Sequence, residues 1–355
     1  MGRSFVDWNH PGIEALSQLQ QHGSPVISIE GPWSQVKKDE AVWCGWHPSA
    51  SIFYWDFMLE EMLDIIRQGY WTIQSYSAIK MLSDLKVSPA GVVPQCSQRP
   101  RPIIDYSFLA INQTTLQVAL PEVMQFGHTL KRILENVMYT NPHFGPVKMI
   151  KIDLADGYYR VPISACSLRA LAVNLLTSFQ EALIALPLMF PMCWLVSPPY
   201  FCMCTETITD ITNKQLEGQG PSWSKLHLLE ASTDMSHQQD TSLGHSEMHY
   251  TIPNKHKLAK PSAKADIYFD DFIGLAQTWA NETKVHQHLM YNIDKVFCPN
   301  ETQDVGHKEP ISVKKLVSAD ATWSTKQNIL GWDLDTKIKT LHLLPHHLDH
   351  LQQML

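Results

Sequence analysis

Apolar residues recur at helical spacing through residues 57–69. Phe57, Met58, Met62, Ile65 and Ile66 fall toward one face, Glu60, Glu61 and Asp64 occupy the earlier turns, and Gly69 follows the last. An apolar stripe with an acidic start and a glycine stop predicts an amphipathic helix whose role is packing. Residues 1–45 mix Pro, Gly and Trp with no sustained period and read as an extension of unassigned structure. Between residues 87 and 112 the pattern shortens to apolar runs, Gly91-Val92-Val93 and Pro102-Ile103-Ile104, set among prolines and glycines, which predicts strands joined by tight turns. A helix is expected over 121–138. Next, Val147-Lys148-Met149-Ile150-Lys151-Ile152 alternates apolar and basic residues and runs into Asp153, the pattern of a strand with a carboxylate at its end.

The most apolar stretch, residues 182–196, is too short to span a bilayer as a helix and is interrupted by Pro187 and Pro191, so it belongs to a core or a site. A helix is expected from 198 to about 213. Residues 214–262 are polar and aperiodic, an insertion or a linker, since structureless loops of that length are unusual inside a domain. The strand signal returns at Ala265-Asp266-Ile267-Tyr268-Phe269 and again at Phe272-Ile273-Gly274-Leu275-Ala276, with Asp270 and Asp271 between. A helix over 283–296 and a strand pair at 329–332 and 340–343 complete the reading, and no internal repeat is visible.

Composition narrows the class. A hydrophobic fraction of 44% over 355 residues excludes wholesale disorder. The seven cysteines lack the paired spacing of a zinc site, and their odd number does not suggest a disulfide framework. With no secretory leader and no myristoylation signal at the start, the expectation is an intracellular protein, cytoplasmic or nuclear, neither secreted nor in a membrane. The formal net charge of −7 runs against phosphate binding, which draws on a surplus of Lys and Arg; local clusters at 99–101 and 255–264 offer a basic lining instead.

Adjacent carboxylates between two strongly apolar runs suggest the tip of a hairpin. Held together, Asp270 and Asp271 repel unless a cation compensates them. Mg²⁺ binds one or two carboxylates with water and phosphates, and two such ions about 3.5–4 Å apart clamp the attacking and leaving oxygens of a phosphoryl transfer. Asp153, at the end of a neighbouring strand, is the natural third carboxylate. A plain turn explains the Asp pair equally well, because Asp is favoured in turns.

Five segments in order tip that balance. Tyr268-Phe269-Asp270-Asp271 resembles the Tyr-x-Asp-Asp hairpin of reverse transcriptases, and Ile152-Asp153-Leu154-Ala155-Asp156-Gly157-Tyr158-Tyr159-Arg160 resembles the first palm motif of that family. The run from Phe190-Pro191-Met192-Cys193-Trp194 through Ser197-Pro198-Pro199-Tyr200-Phe201 is similar to the second palm motif. Arg101-Pro102-Ile103-Ile104-Asp105-Tyr106 resembles the fingers strand, and Ile329-Leu330-Gly331-Trp332 the Leu-Gly hairpin that grips the primer. Ser88-Pro89-Ala90-Gly91-Val92-Val93-Pro94 and Ser-Pro-Pro-Tyr-Phe-Cys at 197–202 look specifically like retrotransposon polymerases.

The resemblance implies an α+β right-hand polymerase, with an antiparallel palm sheet backed by helices. The expected divisions are an N-terminal extension with one amphipathic helix at 1–75, fingers at 76–140, a palm at 141–335 containing the polar 214–262 segment, and the start of a thumb at 336–355. It implies RNA-directed DNA synthesis on an RNA or DNA template with a primer, from deoxynucleoside triphosphates. Two Mg²⁺ ions, or Mn²⁺ in their place, would sit on Asp153, Asp270 and Asp271. Arg101, Asp156, Gly157, Tyr158 and Met192 would face the nucleotide, Tyr158 excluding a 2′-hydroxyl, while Leu330, Gly331 and Trp332 would grip the primer. For Tyr158 the plain alternative is a half-buried core aromatic, and Lys314 and Lys315 read as an exposed pair although either could serve as a proton donor. His342, His346, His347 and His350 include an i, i+4 pair on a stretch that could be helical, but without acidic or Cys partners they are assigned to a solvated face.

Cys193 stands where the family usually has Gly, which is costly if the backbone there needs positive φ. Met192 replaces a frequent Gln, and Gln95-Cys96 replaces a basic residue. The likeness ends near residue 345, so the chain is expected to be a relic of a mobile element or one segment of a longer polyprotein. The rival readings are a catalytically inactive remnant that binds nucleic acid, and a metal-dependent phosphohydrolase using the same carboxylates with water.

Overall fold

The expected hairpin around the Asp pair is present. In the computed structural model, which describes residues 12–95, 99–117, 124–175, 181–218, 260–297, 309–317 and 321–345, β8 (Ala263–Tyr268) and β9 (Asp271–Ala276) form an antiparallel ladder. β5 (Lys148–Asp153) pairs antiparallel with the other edge of β9, giving a three-stranded sheet ordered β5-β9-β8.

Both faces of this sheet are covered. On one lie α7 (Ser197–Leu216) and α8 (Trp279–Phe297), the second burying Val285, Leu289, Met290, Ile293, Val296 and Phe297. The other face, with Met149, Ile273 and Leu275, packs against Ile133 and Val137 of α6 (Thr129–Tyr139) and against Ile329 and Leu334. Gly274 is required where the layers approach. A Cβ at that position would lie 2.7 Å from Ile150 Cγ2 and 2.9 Å from Val285 Cγ1, distances no packed core tolerates. Arg132 on α6 grips Asp266 of β8 with a forked pair of hydrogen bonds, Nε to Oδ2 at 2.9 Å and Nη2 to Oδ1 at 2.5 Å, which fixes the helix on the sheet.

α7 begins with Pro198 and Pro199, which cost nothing where a helix's first N–H groups have no partners. Its buried hydroxyls are satisfied locally, Thr209 Oγ1 donating to Thr205 O and Thr212 Oγ1 to Ile208 O.

Ahead of this sheet come α1 (Gly12–His22), α2 (Gln35–Cys44) and α3 (Trp55–Arg67), then β1 (Trp71–Ser75), the single turn α4 (Tyr76–Ile79), β2 (Val87–Ser88), β3 (Ala90–Val93), β4 (Arg101–Ile104) and the short α5 (Ile111–Thr114). α3 is the amphipathic helix read at 57–69: Met58 and Met62 are buried, and Gly69 follows at φ 74°. It is accompanied by α1 and α2 where a single helix was expected. β3 and β4 pair as a hairpin. A second sheet, ordered β1-β7-β6-β2, uses β6 (Ala172–Leu175) and β7 (Leu183–Pro187), so the apolar 182–196 stretch begins as a buried strand.

The helix expected over 121–138 is realised as α6 and a preceding helical turn at Gln125–His128; residues 118–123 lie outside the described set, as does most of the 214–262 segment. At the end of the chain the short α9 (Val313–Leu316) precedes a three-stranded sheet of β10 (Lys326–Ile329), β11 (Trp332–Asp335) and β12 (Thr340–Leu343). Residues 329–332 are therefore a turn between two strands, not one strand. His342 lies on β12, which removes the helical i, i+4 arrangement suggested for it; His346, His347 and His350 lie outside the described residues.

Among the described residues no helix is long and apolar enough to cross a membrane.

Candidate active site

Asp153 and Asp271 are register partners at the last rung of the β5–β9 ladder. Asp271 also pairs with Tyr268, so Phe269 and Asp270 form a two-residue hairpin loop. Phe269 takes φ 56°, a left-handed conformation that glycine usually fills in such loops. The tip is tied back to β5, because Leu154 N donates to Asp270 O at 3.1 Å. The three carboxylates predicted from sequence thus come from one hairpin and the strand beside it.

Their charges are not independent. Desolvation raises the pKa of Asp153 to about 6; hydrogen bonding and repulsion from Asp271 add to the rise, and the Lys315 ammonium opposes it. Asp270, exposed at the tip, is still raised, first by desolvation against its surroundings and next by the Asp271 charge. Lys315 Nζ bonds Asp153 Oδ1 at 2.5 Å, and Lys151 Nζ is 3.4 Å from Asp271 Oδ2. Lys315 keeps 56% of its side chain exposed, yet it is a partner of the site rather than a bystander.

Among the described residues no group of three or more His, Cys, Asp or Glu side chains is gathered for a metal ion. The donor chemistry nevertheless suits a hard divalent cation. Carboxylate oxygens are the ligands such an ion takes, and mutually repelling, partly desolvated acids gain from its charge.

Beyond β5 the chain makes a tight turn. Asp156 takes φ 55° and accepts a hydrogen bond from Tyr70 Oη at 3.0 Å, while Tyr70 stacks on Tyr159 with ring centroids 4.6 Å apart. Gly157 lies against Phe201, where an added Cβ would stand 3.0 Å from the ring edge. Tyr158 packs half-buried on Phe201 at 5.0 Å between centroids; burial, aided by Cys202, Asp270 and Cys193, holds its hydroxyl well above the usual phenol range.

Met192 is 42% exposed and Cys193 takes φ 70°, so the position where a glycine was expected does require a left-handed backbone. Arg101 is exposed on β4, and its charge reaches the Cys193 sulfur, whose pKa is raised chiefly by desolvation. Leu330 at φ 55° and Gly331 at φ 81° make the turn between β10 and β11, with Trp332 paired to Ile329 across it.

Of the basic clusters read from sequence, Arg99 is paired with Glu61, and Lys264 with Glu217 at 2.7 Å; these cations are matched within the protein instead of lining a groove. Cys96 and residues 255–259 lie outside the described residues. Sequence reasoning missed Lys151, Tyr70 and Asn112. Lys151 alternates outward on β5 and was legible in principle; the other two reach the site only through the fold.

Comparison of the backbone with solved structures gives the class: the chain has a reverse-transcriptase-like fold. The foamy viral protease-reverse transcriptase dRH in complex with ds DNA covers 97% of this chain at 16% sequence identity and a TM-score of 0.51, and the chain spans 46% of that protein. The foamy viral protease-reverse transcriptase in complex with RNA/DNA hybrid covers 98% at 14% identity and a TM-score of 0.48, the chain spanning 36% of it. No family profile and no curated protein sequence matches.

Proposed function

We propose that this chain is the fingers and palm of an RNA-directed DNA polymerase of a retrotransposon, with residues 76–140 as fingers, 141–335 as palm and 336–355 opening a thumb. The observation that carries the proposal is the placement of Asp153 opposite Asp271 at the end of the β5–β9 ladder, with Asp270 at the adjoining tip. The reverse-transcriptase-like fold supports it, as do the motifs quoted from the sequence.

Asp153 and Asp270, supported by Asp271, would hold two Mg²⁺ or Mn²⁺ ions, which supply activation of the primer hydroxyl and neutralisation of the triphosphate. The primer 3′-hydroxyl gives up its proton to solvent as its oxygen attacks the α-phosphorus, the α–β anhydride bond breaks and pyrophosphate leaves. Arg101 is suited to the triphosphate because a guanidinium pairs bidentately with phosphate oxygens. The backbone N–H groups of Asp156 and Gly157 would meet the same group, Met192 would touch the incoming nucleotide, and Tyr158 would restrict the sugar to the deoxy form. Leu330, Gly331 and Trp332 hold the primer end. The partners are then an RNA or DNA template with its primer, deoxynucleoside triphosphates and the remaining segments of a retroelement polyprotein, in the cytoplasm or nucleus.

A second reading is an inactive remnant that binds nucleic acid. It is favoured by the side chain at Cys193, which occupies a left-handed position. Primer extension on an RNA template with Mg²⁺ and deoxynucleotides, run beside Asp270→Asn, decides between them. Extension abolished by the substitution supports the polymerase; a folded wild-type chain that binds the duplex and never extends it supports the remnant.

A further inference from the structure

Cys193 holds a left-handed backbone conformation that disfavours any non-glycine residue, so something in the surroundings must impose it. The side chain of Asn112 is positioned to do so. Its Nδ2 donates to Cys193 O at 3.0 Å, and its Oδ1 accepts from Leu195 N at 2.9 Å. One carboxamide thus satisfies an acceptor and a donor two residues apart, as a neighbouring strand would. The pairing also fixes which way the amide points, because a carbonyl can only accept and an N–H can only donate.

Asn112 is itself anchored. Its backbone N–H donates to Tyr106 O at 2.9 Å, the Tyr106 ring is buried, and the Tyr106 hydroxyl donates to Leu171 O at 3.1 Å. Its Nδ2 also reaches Ser107 Oγ at 3.2 Å, and the adjacent Ile111 is buried. The other side of the turn is pinned by Trp194, which is buried and meets Phe190 edge-on at 5.7 Å. The turn from 192 to 195 is therefore held between an apolar anchor and a polar clamp.

We infer that Asn112 is a positioning residue that clamps the 192–195 turn to the segment following β4, and so sets the spacing between Arg101 and the nucleotide-facing residue Met192. The functional half of this inference rests on the polymerase reading; the clamp itself does not.

Two measurements test the clamp without catalysis. Amide hydrogen exchange at Leu195, whose N–H the Asn112 carboxamide holds, is expected to quicken about tenfold in Asn112→Ala, the scale of one or two lost hydrogen bonds. Asn112→Asp, which keeps the acceptor for Leu195 N and loses the donor to Cys193 O, is expected to fall between and covers the case in which the alanine variant does not fold. Unchanged exchange in a folded variant overturns the clamp. Separately, Cys193→Gly stabilises the protein against urea when Asn112 is present and has little effect once Asn112 is replaced, because the turn then relaxes by itself; an equal gain in both backgrounds overturns it.

Where extension is measurable, Asn112→Ala raises KM for the deoxynucleotide severalfold more than it lowers kcat, and the reverse split removes the positioning role. A wild-type chain without extension activity counts against the polymerase reading, and the exchange and stability results still decide the clamp.

Discussion

Lys315 Nζ lies 2.5 Å from Asp153 Oδ1, so an ammonium from the short helix α9 occupies one oxygen of a carboxylate that β5 carries to the end of its ladder. Asp153 titrates near 6 rather than near the 3.8 of a free Asp, because desolvation outweighs the lysine. A carboxyl whose folded pKa lies above its unfolded value binds more protons in the native state, so its contribution is favourable below about pH 4 and is lost as pH rises toward 6. The loss is about 3 kcal/mol. Asp153→Asn is expected to flatten the fall in Tm between pH 4 and 6; an unchanged slope would show that other groups set it.

On the two-metal reading a divalent cation would compete with Lys315 for the same Asp153 oxygen. Excess Mn²⁺ is then expected to raise Tm at pH 8, where Asp153 is ionised, more than at pH 5. In Lys315→Gln the Mn²⁺-induced rise should be larger, since the resident cation is gone. Equal shifts at both pH values would rule out binding through these carboxylates.

Cys193→Gly removes a left-handed non-glycine residue. The relief of about 1–2 kcal/mol is partly offset by the added freedom of glycine in the unfolded chain, leaving a net gain of about 0.5–1 kcal/mol. Cys193→Val should cost at least as much, since branching at Cβ disfavours positive φ. Urea midpoints at constant m-value read both changes.

Gly274→Ala is expected to destabilise by about 1–3 kcal/mol, because its methyl would meet Ile150 and Val285 well inside contact distance. The same substitution at Gly69, around which the structure leaves open space, costs only the positive φ. A smaller effect at 274 than at 69 would mean that the sheet and α8 separate easily.

The hairpin at 268–271 was legible because two strongly apolar runs bracket a charged pair, and β5 because its alternation is unbroken to Asp153. α2 was not legible: its apolar Val36 and Trp43 point outward at 66% and 88% exposure, while Lys38 is buried and donates to Lys80 O and Leu82 O. Its hydrophobic pattern is inverted, and only the Ser34 cap and Gly45 mark its ends. β6 is buried at all four positions and so carries no period-two signal. Within the site, the carboxylates followed from motif order. The Lys315 and Asn112 contacts did not, because they join residues 162 and 81 positions apart through packing that no local pattern encodes.

The strand that ends at Asp153 does not fray there. Ser312 N donates to Asp153 O at 2.9 Å and Ala155 N to Pro310 O at 2.9 Å, so residues 310–312 take over as the pairing partner where β9 stops. Asp153 is the last rung of one ladder and the first of another. Amide hydrogens at Leu154, Ala155 and Ser312 should therefore exchange with solvent as one slow, cooperative group, and whatever displaces the Asp153 backbone must break both ladders together.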